Sequence, residues 1–124
     1  MKKILLLITV ILLLAIAAQT QPESKSSSLK VKISVIKDFP VGWGVLYKAV
    51  IEEVVEGNEW NMLDTIDFGI TASKKYDFLN VGDVRVITFK NSGEINKMPY
   101  LPAINGTVSK KKEIWYISNI ERNN

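Results

Sequence analysis

The chain has 124 residues, 16 Lys and Arg against 13 Asp and Glu, and neither His nor Cys. That is the length of one domain. Without His or Cys it cannot assemble a Ser-His-Asp or Cys-His centre, a thiolate metal site or a disulfide scaffold, so the fold must stand on its apolar core.

Met1-Lys2-Lys3 is a short positive segment, and Ile4 to Leu14 is apolar except for Thr9. Ala15-Ile16-Ala17-Ala18-Gln19 then offers small residues at signal-peptidase spacing. Residues 1–18 therefore read as a signal peptide, cleaved after Ala17 or Ala18, and the protein as exported, either periplasmic or secreted. The low-polarity run of about 15 residues is short of the roughly 20 that a spanning helix needs. If it stayed uncleaved, it would be the chain's tie to a membrane. With no Cys at its end, lipid attachment there is excluded. Cleavage removes Lys2 and Lys3 and leaves a net charge of +1, so the sequence pI of 9.1 overstates the basicity of the processed protein. Residues 19–28 are a polar, Ser-rich leader, residues 29–121 a single domain and residues 122–124 a tail.

After residue 18 there are 22 Val and Ile but only 8 Ala and Leu, a ratio that favours strands. Leu29, Val31, Ile33 and Val35 alternate with Lys30, Lys32 and Ser34, a period of two that marks the first strand. Phe39-Pro40-Val41-Gly42-Trp43-Gly44 reads as a loop. Val45 to Val55 is a long second strand, with a bulge expected at Glu52-Glu53. After a turn at Glu56-Gly57-Asn58-Glu59, Met62 to Ile70 forms a third strand with Ile66, Phe68 and Ile70 inward. Ser73 to Leu79 is predicted to form one or two helical turns, with Ser73 as N-cap. Asn80 to Asp83 is a turn into a fourth strand, Val84 to Lys90, and Asn91 to Pro102 a loop. Ala103 to Ser109 reads as a short strand or, through Asn105-Gly106, as a turn. Lys110-Lys111-Lys112 is a solvated turn. In the last strand Ile114, Tyr116 and Ser118 alternate with Trp115, Ile117 and Asn119.

The fold class is thus all-β with at most one short helix. The order of three strands, a short helix and further strands, with a long bulged second strand, resembles a small five- to six-stranded OB-like barrel. One stretch also resembles the netrin-like domains of tissue inhibitors of metalloproteinases. It comprises Tyr47-Lys-Ala-Val-Ile-Glu-Glu-Val-Val-Glu-Gly57, the Ile66-Asp67-Phe68 strand, and the Gly82-Asp83 turn before Val84 to Phe89. Those domains depend on cysteines, including the N-terminal one that chelates the protease zinc. With no Cys here, inhibition by that route is set aside.

The OB-like resemblance implies a binding face flanked by two loops. It makes Trp43, Tyr47 and Tyr100 candidates for a stacking platform, with Arg85, Lys90 and Lys97 as a cationic rim. The plain alternative for Trp43 is a plug over one end of the barrel. Net +1 argues against a broad phosphate footprint, and so against nucleic acid as partner. Glu52 and Glu53 face opposite sides of a regular strand, as do Asp64 and Asp67, so neither pair forms an acid and base on its own strand. Asp67 and Asp83 could meet only through the fold. No carboxylate-rich loop points to Ca²⁺, and no metal or cofactor is implied. Asn105-Gly106-Thr107 matches a glycosylation sequon, although Asn-Gly is equally turn chemistry.

Together these readings point to a non-catalytic binding or accessory module of the cell envelope or extracellular space. Its partner would be a small ligand, a glycan or another extracytoplasmic protein. The alternatives are an inhibitor of a secreted protein and a carboxylate-based hydrolase.

Overall fold

The computed structural model describes residues 28–73, 75–98 and 102–122. Among them are six strands and no helix: β1 (Ser28–Val41), β2 (Gly44–Glu56), β3 (Thr65–Thr71), β4 (Val84–Ile95), β5 (Gly106–Val108) and β6 (Glu113–Ile120). Every neighbouring pair is antiparallel, and the order β1-β2-β3-β5-β6-β4 closes into a barrel. Residues 1–18, expected to be a signal peptide, and Tyr100 lie outside the described residues.

The alternation read in β1 is the one that builds the core. Leu29, Val31, Ile33 and Val35 are buried, as are Tyr47, Ala49 and Ile51 of β2 and Ile66, Phe68 and Ile70 of β3. Closing a small sheet requires bending, and β2 bends at bulges. The register passes from Lys32–Glu53 to Ile33–Ile51, skipping Glu52, and from Lys30–Glu56 to Val31–Val54, skipping Val55. The doubled glutamate is therefore one of two bulges on this strand.

Three sequence expectations need correction. Phe39 to Val41 is strand rather than loop, ending in a two-residue turn at Gly42-Trp43. Pro40 is tolerated there because its missing N–H lies on the edge of β1 that faces away from β2. There β4 has already left, its pairing having ended at Ser34–Val84. The fourth strand runs on to Ile95, across an irregular stretch at Asn91–Ile95 where Gly93 takes a φ of 76°.

The third correction is the helix expected over Ser73 to Leu79. Its described residues form none, and two of their polar groups bond to the barrel instead. Leu79 N donates to Tyr47 Oη at 2.8 Å, and Tyr76 Oη donates to Ile117 O at 2.9 Å. Leu79 is buried and plugs one end. Trp60, from the β2–β3 loop, plugs the other and meets Trp115 edge-to-face at 5.2 Å between ring centroids. Trp115 is fully buried, and its Nε1 has no acceptor among the described residues.

Candidate functional site

The site begins with which edge of β3 is satisfied. Along an antiparallel strand, successive residues turn their N–H and C=O groups to opposite edges. Ile51 N donates to Asp64 O at 2.9 Å, so Ile66, Phe68 and Ile70 bond to β2. Thr65, Asp67, Gly69 and Thr71 therefore face the other way, toward β5. Two contacts agree: Thr107 Oγ1 donates to Asp67 O at 2.6 Å, and Thr71 N donates to Asn105 Oδ1 at 2.9 Å. On the facing strand, Ser109 N donates to Glu113 O, which leaves Val108 turned toward β3.

The two strands nevertheless register at a single pair, Phe68 with Thr107. Every other seam has at least three such pairs. Beyond that rung, toward the end plugged by Trp60, β3 and β5 part, and a cleft of about 720 Å³ runs from this gap past the rung to Leu46, Pro102 and Ala103, within the size range of small-ligand sites. One wall carries Asp64, Thr65 and Asp67, the other Ser109, Lys110 and Lys112, with Val108 adding apolar surface.

Both charged walls are held by backbone. Asn61 N donates to Asp64 Oδ2 at 3.0 Å, and Asp64 N returns a bond to Asn61 O at 3.1 Å. Leu63 within that turn takes a φ of 71° and is 75% exposed. Its conformation is fixed by the bond from its N to Ile51 O, not by burial. Opposite, Lys112 N donates to Ser109 O, and Lys112 O accepts from Asn96 N, which ties the lysine turn to the segment after β4. The cleft thus sets carboxylates on one wall against lysines on the other, with the Thr65 backbone on the acidic wall.

The residues singled out in the sequence do not converge here. Tyr47 is 1% exposed, stacked on Phe68 at 5.2 Å. Burial raises its phenol above the ordinary tyrosine range, with Asp38 and Asp83 adding to the rise and the Leu79 bond opposing it. It is core rather than platform. Trp43 neither plugs an end nor stands free. Its half-buried ring lies over Gly69 on β3, where a Cβ would come within 2.5 Å of Trp43 Cη2. Arg85 lies near the start of β4, donating to Val84 O at 2.9 Å and 3.8 Å from Asp83 Oδ2. Lys97 follows the far end of β4, so these two cations form no common rim.

Two further features were missed or half-read. Asp64 and Asp67 line one cleft because Asp64 sits in the turn before β3, outside the strand alternation. Asn105, at φ 50°, is the turn residue that Asn-Gly allowed. Its side chain is spent in the seam, accepting from Thr71 N and donating to Thr71 Oγ1 at 3.1 Å. Among the described residues no three Asp or Glu side chains group as a metal site. No family model matches the chain, and neither a curated protein nor a solved structure matches it.

Proposed function

We propose that the protein is an exported, non-catalytic binding module whose ligand occupies the cleft between β3 and β5. The observation that carries this reading is the single-rung seam. The β3–β5 seam parts after one pair, and the opening holds charges of both signs beside apolar surface. The strand order, with β1 paired to both β2 and β4, is compatible with an OB-like barrel, a fold that serves many binding roles and by itself selects none. The export reading rests on residues 1–18 alone.

The test is a titration of the ¹⁵N-labelled processed protein with a panel of short oligosaccharides, blocked peptides and amino acids. Shift changes are expected at Thr65, Asp67, Val108 and Lys110, with Lys37 and Phe39 on the hairpin silent. Shifts confined to the hairpin or to the Arg85 end, with the cleft silent, would contradict the assignment. A carboxylate-based hydrolase is the second reading, favoured only by Asp64 and Asp67 sharing the cleft. Product in the same samples, lost in Asp67→Asn, would promote it.

A further inference from the structure

Resting on the cleft as the binding site, we infer that its ligand is an extended peptide segment that pairs with β3 through the backbone of Thr65. The segment would carry a basic residue toward Asp64 and Asp67 and an acidic residue, or its own C-terminal carboxylate, toward Lys110 and Lys112.

Three observations lead there. The first is the direction of the backbone groups. Thr65 does not bond to β2, and the β3–β5 ladder stops at Phe68–Thr107, so the Thr65 amide and carbonyl face the cleft at strand spacing. A donor and acceptor so placed match another strand, the arrangement by which extended peptides add to sheet edges. The second is the lack of an accessible aromatic face among the described residues that line the cleft, where Phe68 is 1% exposed. Sugars and bases are held by stacking on exposed rings, but Trp60 is 6% exposed and spent on Trp115, while Trp43 lies over Gly69. The third is charge. Opposed acidic and basic walls suit a chain that can present both signs, whereas a uniformly charged ligand meets repulsion from one wall.

The contrast with the other open edge sharpens the choice. Beyond Ser34 the outer edge of β1 has no strand beside it, and Ile36 and Phe39 are 47% and 45% exposed there. That edge is guarded by a bulge at Ile36, by Pro40 with no N–H to offer, and by Lys37 and Asp38. Two-fold pairing with a second copy keeps each residue on its own face, so the registers centred on the middle of this edge set Lys37 against Lys37 or Asp38 against Asp38. At the Thr65 edge there is no proline and no bulge, and the walls supply complementary charge instead.

The probe is a pool of acetylated, amidated hexapeptides of Val and Thr carrying one Lys and one Glu, beside the same pool N-methylated at all six residue amides. The readout is amide exchange in the processed protein. The unmethylated pool is expected to slow exchange at Thr65 by at least about tenfold, and N-methylation to abolish the effect. Thr65→Pro should lose the peptide yet keep its melting temperature, because a first strand residue whose N–H does not bond to β2 tolerates proline. Equal binding by the N-methylated pool would overturn backbone pairing whether or not Thr65→Pro folds. If no peptide binds while an oligosaccharide or amino acid shifts the cleft, strand pairing falls and the cleft assignment stands. If nothing moves the cleft residues, both fall.

Discussion

Gly44→Ala is expected to cost more than about 4 kcal/mol, at the extreme of single substitutions. A Cβ at Gly44 would overlap the Ile70 carbonyl oxygen and lie 2.8 Å from Thr71 Cα. Both are backbone of the facing strand at the Gly44–Thr71 rung, so no side-chain rotation gives relief and β2 must separate from β3. A domain of this size has only about 5–15 kcal/mol of stability to lose. Gly42 is the internal control. It occupies the adjoining turn, nothing lies within 4 Å of its Cβ position, and Gly42→Ala should stay within about 0.5 kcal/mol of the parent. Urea midpoints of the two variants measure the contrast. Equal midpoints would mean that β2 and β3 do not meet at that rung.

The second large effect is at Tyr47, where ring and hydroxyl do separate work. The ring stacks on Phe68 in the core, and the hydroxyl accepts the Leu79 amide that fixes the plug. Tyr47→Phe leaves a buried N–H without its acceptor and should cost about 1–3 kcal/mol. Tyr47→Ala adds a cavity and should cost about 3–5 kcal/mol. The raised phenol pKa adds a signature in pH. In the folded state the group stays protonated above the ordinary value near 10, while the unfolded chain ionises there. Its contribution is therefore complete below about pH 10 and is lost as pH rises toward the folded-state value. Between pH 9 and 11 the parent should lose stability more steeply than Tyr47→Phe, as read from denaturation at each pH. Parallel alkaline limbs would show that the hydroxyl is not buried.

Much of the barrel was legible because its signals are local. Period-two alternation marked Leu29 to Val35 and Ile66 to Ile70, and a doubled glutamate in an apolar strand marked a bulge. The described residues of Ser73 to Leu79 form no helix, and a distant group takes the Leu79 amide. Tyr47 lies 32 positions away from Leu79, and no propensity records that bond. Tyr47 itself was misplaced because an aromatic on a strand reads alike as platform or core until the strand's inward face is fixed. The cleft left almost no trace. Its walls come from the end of the β2–β3 loop and from a lysine turn that reads correctly as solvated. What opens it is the stopping of a ladder after one rung, where Thr107 takes the Asp67 carbonyl by side chain. Strand pairing across some 40 positions is not written in periodicity.

The account turns on whether the Thr65–Asp67 edge of β3 is open in the free protein. Residue-resolved amide exchange of the protein, without ligand, measures that edge directly. It should alternate along β3, with Thr65 and Asp67 fast and Ile66 and Phe68 slow. Thr65 and Asp67 protected as strongly as Ile66 and Phe68 would mean that the seam is closed by pairing, and would contradict the cleft as a binding site.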